Sequence, residues 1–222
     1  MRTRLTIGLA LLLCSAAALA DRQPGWDFGG ELLYQFSQDV NFKGGSRASI
    51  DDDLGLALSF TYRFNSRFEL LFGLDWNNVD YKADIAPAPI SPGGPIVGSG
   101  FSVDGSLESW TPRVGVNFNL LEGDFTPYIT AGVGWSFIDT NIPEGRATTS
   151  CWWDPWYGYV CGTFQDTKSF DELTYNLGVG VRWDLRGALS LRFGYERHWL
   201  DYSEASSQPG IDQLKIGIIG RY

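Results

Sequence analysis

The stretch LGLALSFTYRFNSRFELLFGLDW, residues 54 to 76, decides the fold. Leu54, Leu56, Leu58, Phe60, Tyr62 and Phe64 occupy every second position. After a break at Asn65, Ser66 and Arg67, the alternation resumes at Phe68, Leu70, Phe72, Leu74 and Trp76. Successive side chains of a strand point to opposite faces, so apolar spacing of two marks a strand, and two such runs around a short polar turn mark a hairpin. Each run is about ten residues long, the length a tilted strand needs to cross the hydrocarbon core of a bilayer. The expected fold is all-β, a small transmembrane β-barrel.

The same period recurs along the chain. Before the hairpin, WDFGGELLYQF sets Trp26, Phe28, Leu32, Tyr34 and Phe36 on one face, with Asp27, Glu31, Leu33 and Gln35 on the other. After it, SWTPRVGVNFNL, PYITAGVGWSF, ELTYNLGVGVRWDL, ALSLRFGYERHWLDY and QLKIGIIGRY complete eight strands. Pro112 lacks an N–H and marks a bulge or local defect in the fourth. Connections are short after strands two, four and six and long after one, three and five. The long ones are 37–50, a Pro/Gly-rich stretch 79–106 expected to stay out of any paired ladder, and 139–170; a modest loop, 203–210, precedes the last strand. An even strand number with sorted loops predicts an eight-stranded antiparallel up-and-down barrel with three short periplasmic turns and four extracellular loops.

Alternation alone does not separate this from a soluble barrel whose apolar face is the inside. The polar face decides. It is rich in glycine (Gly55, Gly73, Gly115, Gly132, Gly134, Gly178, Gly180, Gly194, Gly217), which suits the crowded interior of a narrow barrel. Among the glycines stand charges of both signs: Glu31, Arg63, Glu69, Asp75, Arg113, Arg182, Arg192, Glu196 and Lys215. Inside a barrel each needs a partner, because an unpaired buried charge costs several kcal/mol, as a rough scale. A lumen network of ion pairs is therefore expected. The lipid face takes even residues in strands one to four and eight, odd ones in five to seven. Trp26, Trp76, Trp110, Tyr175, Trp183, Trp199 and Tyr222 fall near strand ends, where aromatic girdles sit.

Residues 1–20 have the form of a signal peptide: Arg2 and Arg4, an apolar Leu5–Leu13 core, and Ala18-Leu19-Ala20 at the cleavage site. The expected domain is then 21–222, exported and placed in the outer membrane of a Gram-negative bacterium. The formal charge of −9 falls by two more once Arg2 and Arg4 leave. A chain this acidic, without basic clusters, is not built for nucleic acid.

Cys151 and Cys161 bracket CWWDPWYGYVC in the third long loop and are expected to form a disulfide in an oxidising compartment. Between them Trp152, Trp153, Trp156, Tyr157 and Tyr159 make an aromatic patch that can brace the loop or anchor a surface ligand. His198, the one histidine, is placed by parity in the lumen, and the nearby Asp201, Ser203 and Glu204 do not give the spacing of a catalytic set. Asp51, Asp52 and Asp53 read as a solvated rim, without further metal-ligand spacing. The Gly-x-Gly pairs at 132/134 and 178/180 lack the rest of a nucleotide fingerprint. No metal and no cofactor is expected, and no catalytic residue.

With these features, and with LKIGIIGRY ending on Tyr222 behind Ile218, Ile216 and Leu214, the chain resembles the small outer-membrane β-barrel superfamily of OmpA-type transmembrane domains and OmpX- and OmpW-like proteins. The resemblance implies that Tyr222 ends a C-terminal signal read by the barrel-assembly machinery, that lipid and lipopolysaccharide surround a monomer, and that the loops carry recognition. It also admits a narrow porin-like pore or an OmpW-like carrier of small hydrophobic molecules, and, through the barrels that modify lipid A, an enzyme. The charged interior favours a structural or surface-interaction barrel with a plugged lumen.

Overall fold

The computed structural model describes residues 24–42, 45–87, 100–156, 158–185, 188–201 and 208–221. Residues 1–20, expected to be a signal peptide, and Tyr157, Ser203, Glu204 and Tyr222 lie outside them. Among the described residues there are ten strands: β1 Gly25–Gln35, β2 Gln38–Asn41, β3 Arg47–Ile50, β4 Asp53–Arg63, β5 Phe68–Ile85, β6 Phe101–Asn119, β7 Phe125–Asp154, β8 Gly158–Asp184, β9 Leu189–Leu200 and β10 Gly210–Arg221. Eight of them, all but β2 and β3, form a closed antiparallel ring in the order β1-β4-β5-β6-β7-β8-β9-β10, and β10 returns to β1 with Glu31 opposite Gly217. Closure leaves no unpaired edge, which a bilayer requires because no water is there to bond exposed backbone groups. The expected eight-stranded ring is thus present, and short turns join β4 to β5, β6 to β7 and β8 to β9.

The long loops differ from expectation. Residues 37–50 contain the β2–β3 hairpin, and β3 pairs with β5 from Arg47 opposite Asp84 to Ile50 opposite Tyr81. It thereby takes over the side of β5 that β4 has left, since β4 pairs with β5 only as far as Leu56 opposite Trp76. The 79–106 stretch is not excluded from the sheet: β5 and β6 stay paired up to Ile85 opposite Phe101. Its prolines start at Pro87, and their effect does not extend into the alternating flanks. The 139–170 loop is likewise mostly a hairpin arm. There β7 and β8 pair out to Asp154 opposite Gly158, with register shifts between Asp139 and Pro143 and between Glu144 and Thr148. At Pro112 no bulge forms; the β6–β7 register is the same on both sides of a two-residue gap in the ladder.

The faces follow the expected parity. Phe28, Leu32, Leu56, Leu58, Val133, Leu177, Val179 and Ile218 point outward and are exposed, while Asp27, Glu31, Thr61, Glu69, Asn117, Arg182 and Lys215 point inward and are buried. Polarity then inverts along each long strand. On β5 the outward series runs Phe68, Leu70, Phe72, Leu74 and Trp76, then changes to Asn78, Asp80, Lys82 and Asp84. The inward series changes at the same height from Glu69, Asp75 and Asn77 to Val79, Tyr81 and Ala83. Below the switch the solvent is acyl chain; above it the solvent is water, and the arm folds like a soluble hairpin. Ala48, Tyr81 and Ala83 form a small core there, with Phe42, Ile50 and Leu107 against it.

Aromatic side chains mark the switch. The indole N–H groups of Trp76 and Trp110 both donate to Glu108 Oε1, at 2.8 and 3.2 Å, Trp135 donates to Asp171 Oδ2 at 2.8 Å, and the Tyr34 hydroxyl donates to Asp52. Each ring lies in the apolar belt with its donor turned toward water, as amphipathic rings do at a membrane interface. At the opposite end Trp26 stacks on Phe60, centroids 4.3 Å apart.

Candidate functional site

The lumen is filled by two linked charge clusters. Strand alternation brings their members inward, and glycines make the room. At Gly73 an added Cβ would lie 2.7 Å from Arg113 Nε, and at Gly178 it would lie 2.6 Å from Glu196 Cγ. Long side chains thus lie flat across the bare backbone of a neighbouring strand.

The cluster nearer the short turns is centred on Arg182, which has no exposed surface. Its guanidinium meets Asp184 Oδ1 at 2.9 Å, Asp27 Oδ2 at 3.3 Å and Glu69. Arg63 Nε lies 3.1 Å from Asp27 Oδ1, and Arg192 reaches Glu69 Oε2 at 3.4 Å and Glu31 Oε1 at 3.8 Å. Asn119 and Asn117 donate to Glu69 at 2.9 and 3.3 Å, Ser190 to Asp184 at 2.6 Å, and Ser59 to Glu31 at 3.0 Å. The Arg192 guanidinium also stands over the Tyr128 ring, 5.4 Å from its centroid.

In the second cluster, Lys215 Nζ lies 2.7 Å from Asp75 Oδ2 and 3.2 Å from Glu196 Oε2, and Arg113 bridges the same two carboxylates at 3.3 and 3.0 Å. Asn176 donates to Glu196 at 3.3 Å. His198 is buried, with Nε2 3.2 Å from Glu196 Oε2, in the lumen as parity requires. Above it come neutral pairs, Asn77 donating to Gln35 at 2.7 Å and Thr111 with Ser136 at 2.7 Å, and then the buried apolar side chains Val79, Ile138 and Leu200.

All nine charges expected in the lumen are buried there. Asp27 and Asp184 join them and were missing from the expected network. Asp27 stands on the charged face of its strand, and Asp184 continues the parity of Arg182, so alternation carried to the strand ends would have found both. Leu33, Leu71 and Ile219 are buried inward as apolar exceptions.

At the far end of the arm, Cys151 and Cys161 sit directly opposite in the β7–β8 ladder and are joined by a disulfide. The next pair on that face is Trp153 opposite Tyr159, 72 % and 70 % exposed; Trp156, in the turn, is 89 % exposed. Trp152 lies on β7 opposite Val160. Asp51, Asp52 and Asp53 are exposed on the rim, and among the described residues no three His, Cys, Asp or Glu side chains are grouped to hold a metal ion. Just above the belt, burial pushes the Glu172 carboxyl above the ordinary range, and Asp201 and Asp171 push it further the same way.

A search of curated protein sequences found no match. Among solved structures, the chain is similar to Neisserial surface protein A (NspA), at 10% identity and a TM-score of 0.53 over 91% of this chain and 99% of that one. It is also similar to the outer membrane protein OprG from Pseudomonas aeruginosa, at 13% identity and a TM-score of 0.50 over 90% and 97% of the two chains. At such identities the likeness is one of fold. The family model "Outer membrane protein beta-barrel domain" matches residues 6–219, nearly the whole chain. With a closed eight-stranded ring, an apolar belt and a charged interior, the chain belongs to the outer membrane protein β-barrel domain family.

Proposed function

We propose that this protein is a non-conducting, monomeric surface-interaction barrel of the Gram-negative outer membrane, exported with residues 1–20 as a cleaved signal peptide and inserted through a C-terminal signal ending on Tyr222. The observation that carries the reading is the pairing of a plugged lumen with an aromatic-tipped arm. Charges bridging the wall from several strands, topped by Val79, Ile138 and Leu200, leave little space for a solute. The arm, by contrast, presents Trp153, Trp156 and Tyr159 to the outside on a hairpin closed by a disulfide. Rigid aromatic rings bind at low entropy cost, and large exposed apolar groups on a soluble arm mark an interaction site. Trp152 and Tyr157 belong to the same patch by sequence.

The reading is of a non-enzyme. His198 is turned into the lumen against Glu196, away from any surface where a lipid substrate would reach it. A pore or a carrier of small hydrophobic molecules is disfavoured because the interior is charged, with Leu33, Leu71 and Ile219 scattered within it.

Two measurements test the proposal together. Refolded protein in planar bilayers is expected to give no steady single-channel current. Cells carrying Trp153→Ala with Tyr159→Ala are expected to lose surface adhesion while keeping the same barrel content in the outer membrane. Steady conductance, or adhesion unchanged by the double variant, contradicts it.

A further inference from the structure

The belt holds a glycine, Gly30, that packing does not explain. Glycines on the lumen side stand where a Cβ would meet a neighbouring strand or side chain, as at Gly73 and Gly178. Gly30 points outward at mid-height of β1, between Phe28 and Leu32, and a Cβ built there would meet nothing within 4 Å. Its backbone conformation is open to other residues, and a glycine inside a strand weakens it. The cross-strand neighbours, Leu58 on β4 and Ile218 on β10, are 62 % and 60 % exposed, so the wall is indented between them.

The indentation is part of a groove of about 650 Å³ that runs from Leu191 and Ile218 across Gly30 and past Leu58 and Leu74 to Trp76 and Trp110. Both indole N–H groups at its upper end are taken by Glu108, so the rings offer the groove only their carbon faces. The groove thus lies mostly in the outer half of the belt, with Ile218 and Leu191 continuing it below Gly30, and it is continuous with the lipid-facing surface. A head group has nothing to bond there. We propose that it seats one acyl chain of the outer-leaflet glycolipid, lipid A, as a bound lipid in place of exchanging bulk hydrocarbon. Absence of a side chain at Gly30 lets the chain lie against the wall, where it gains close dispersion contacts along its length.

Native mass spectrometry of the barrel, extracted from outer membranes in mild detergent, tests this. The wild type is expected to retain one lipid A. Gly30→Leu fills the notch without a clash and is expected to lower the lipid-bound fraction about tenfold, equivalent to roughly 1.4 kcal/mol. Gly30→Ala is expected to fall between the two. Ala131→Leu enlarges an outward belt residue on β7, away from the groove, and is expected to retain the lipid. Equal retention by G30L and wild type overturns the proposal. So does a wild type carrying phospholipid or no lipid, or a G30L change from dimer to monomer, which would make a second copy the occupant. Failure of G30L to insert would contradict the open space itself.

Discussion

Arg182 of β8 and Asp27 of β1 pair at 3.3 Å although three strand steps separate them around the ring. Arg182 also meets Glu69 on β5, three steps the other way. One guanidinium therefore cross-braces three parts of the wall, which neighbouring-strand hydrogen bonds alone do not do.

Removing that cation leaves Asp27, Glu69 and Asp184 short of a buried partner. Breaking a buried ion pair from one side costs about 3–5 kcal/mol, because the orphaned charge stays desolvated. Arg182→Met is expected to lower barrel stability by that order, read from the urea midpoint in lipid vesicles. A variant within about 0.5 kcal/mol of wild type would show that the cluster does not hold the wall.

Gly73 and Gly30 make opposite predictions for the same substitution. At Gly73 a methyl lands against Arg113 and must displace it from Asp75 and Glu196. Gly73→Ala is expected to cost about 1–3 kcal/mol, the usual range for overpacking. Gly30→Ala has open space and is expected to be neutral or stabilising. The same unfolding experiment compares them, and equal effects would contradict the assigned faces.

The disulfide lies on the arm beyond the belt, away from the closed ring of paired strands. Cys151→Ser with Cys161→Ser is therefore expected to leave the barrel's urea midpoint unchanged within about 0.5 kcal/mol while proteolysis at the arm's tip quickens. A fall in the barrel midpoint would tie the arm into the ring.

Glu172 supplies a pH dependence. Burial and two neighbouring carboxylates raise its folded-state pKa, so its charge opposes the folded rim at neutral pH and protonation relieves that opposition. Rim stability is expected to rise as pH falls through the raised value. The backbone N–H of Asp201, bonded to Leu173 O at 2.9 Å, reports it: its hydrogen-exchange protection is expected to increase as pH is lowered from neutral through that raised value. Glu172→Gln is expected to abolish the difference.

The ring, its parity and nine of its interior charges were legible because a bilayer forces one face of every strand to be apolar, and alternation records that constraint directly. Ladder length was not legible. Above the belt the constraint lapses, so VDYKADI and FSVDGSL resemble loop although they pair as strand. There the alternation continues with reversed polarity: Val79, Tyr81 and Ala83 are inward and Asn78, Asp80 and Lys82 outward. A reading that expects apolar residues outward loses the strand where the solvent changes. Partner choice in the lumen was also beyond the sequence. That Arg182 would take Asp27 and Glu69 depends on which strands face one another across the interior.

The central claim is that Leu54, Leu56, Leu58, Phe60 and Tyr62 face acyl chains while Gly55, Ala57, Ser59, Thr61 and Arg63 face the lumen. Spin labels placed singly along β4 in bilayer vesicles test it through their collisions with oxygen, which concentrates in hydrocarbon. The account predicts accessibility that alternates with period two and peaks at the even positions. Peaks at the odd positions, or no alternation, would contradict it.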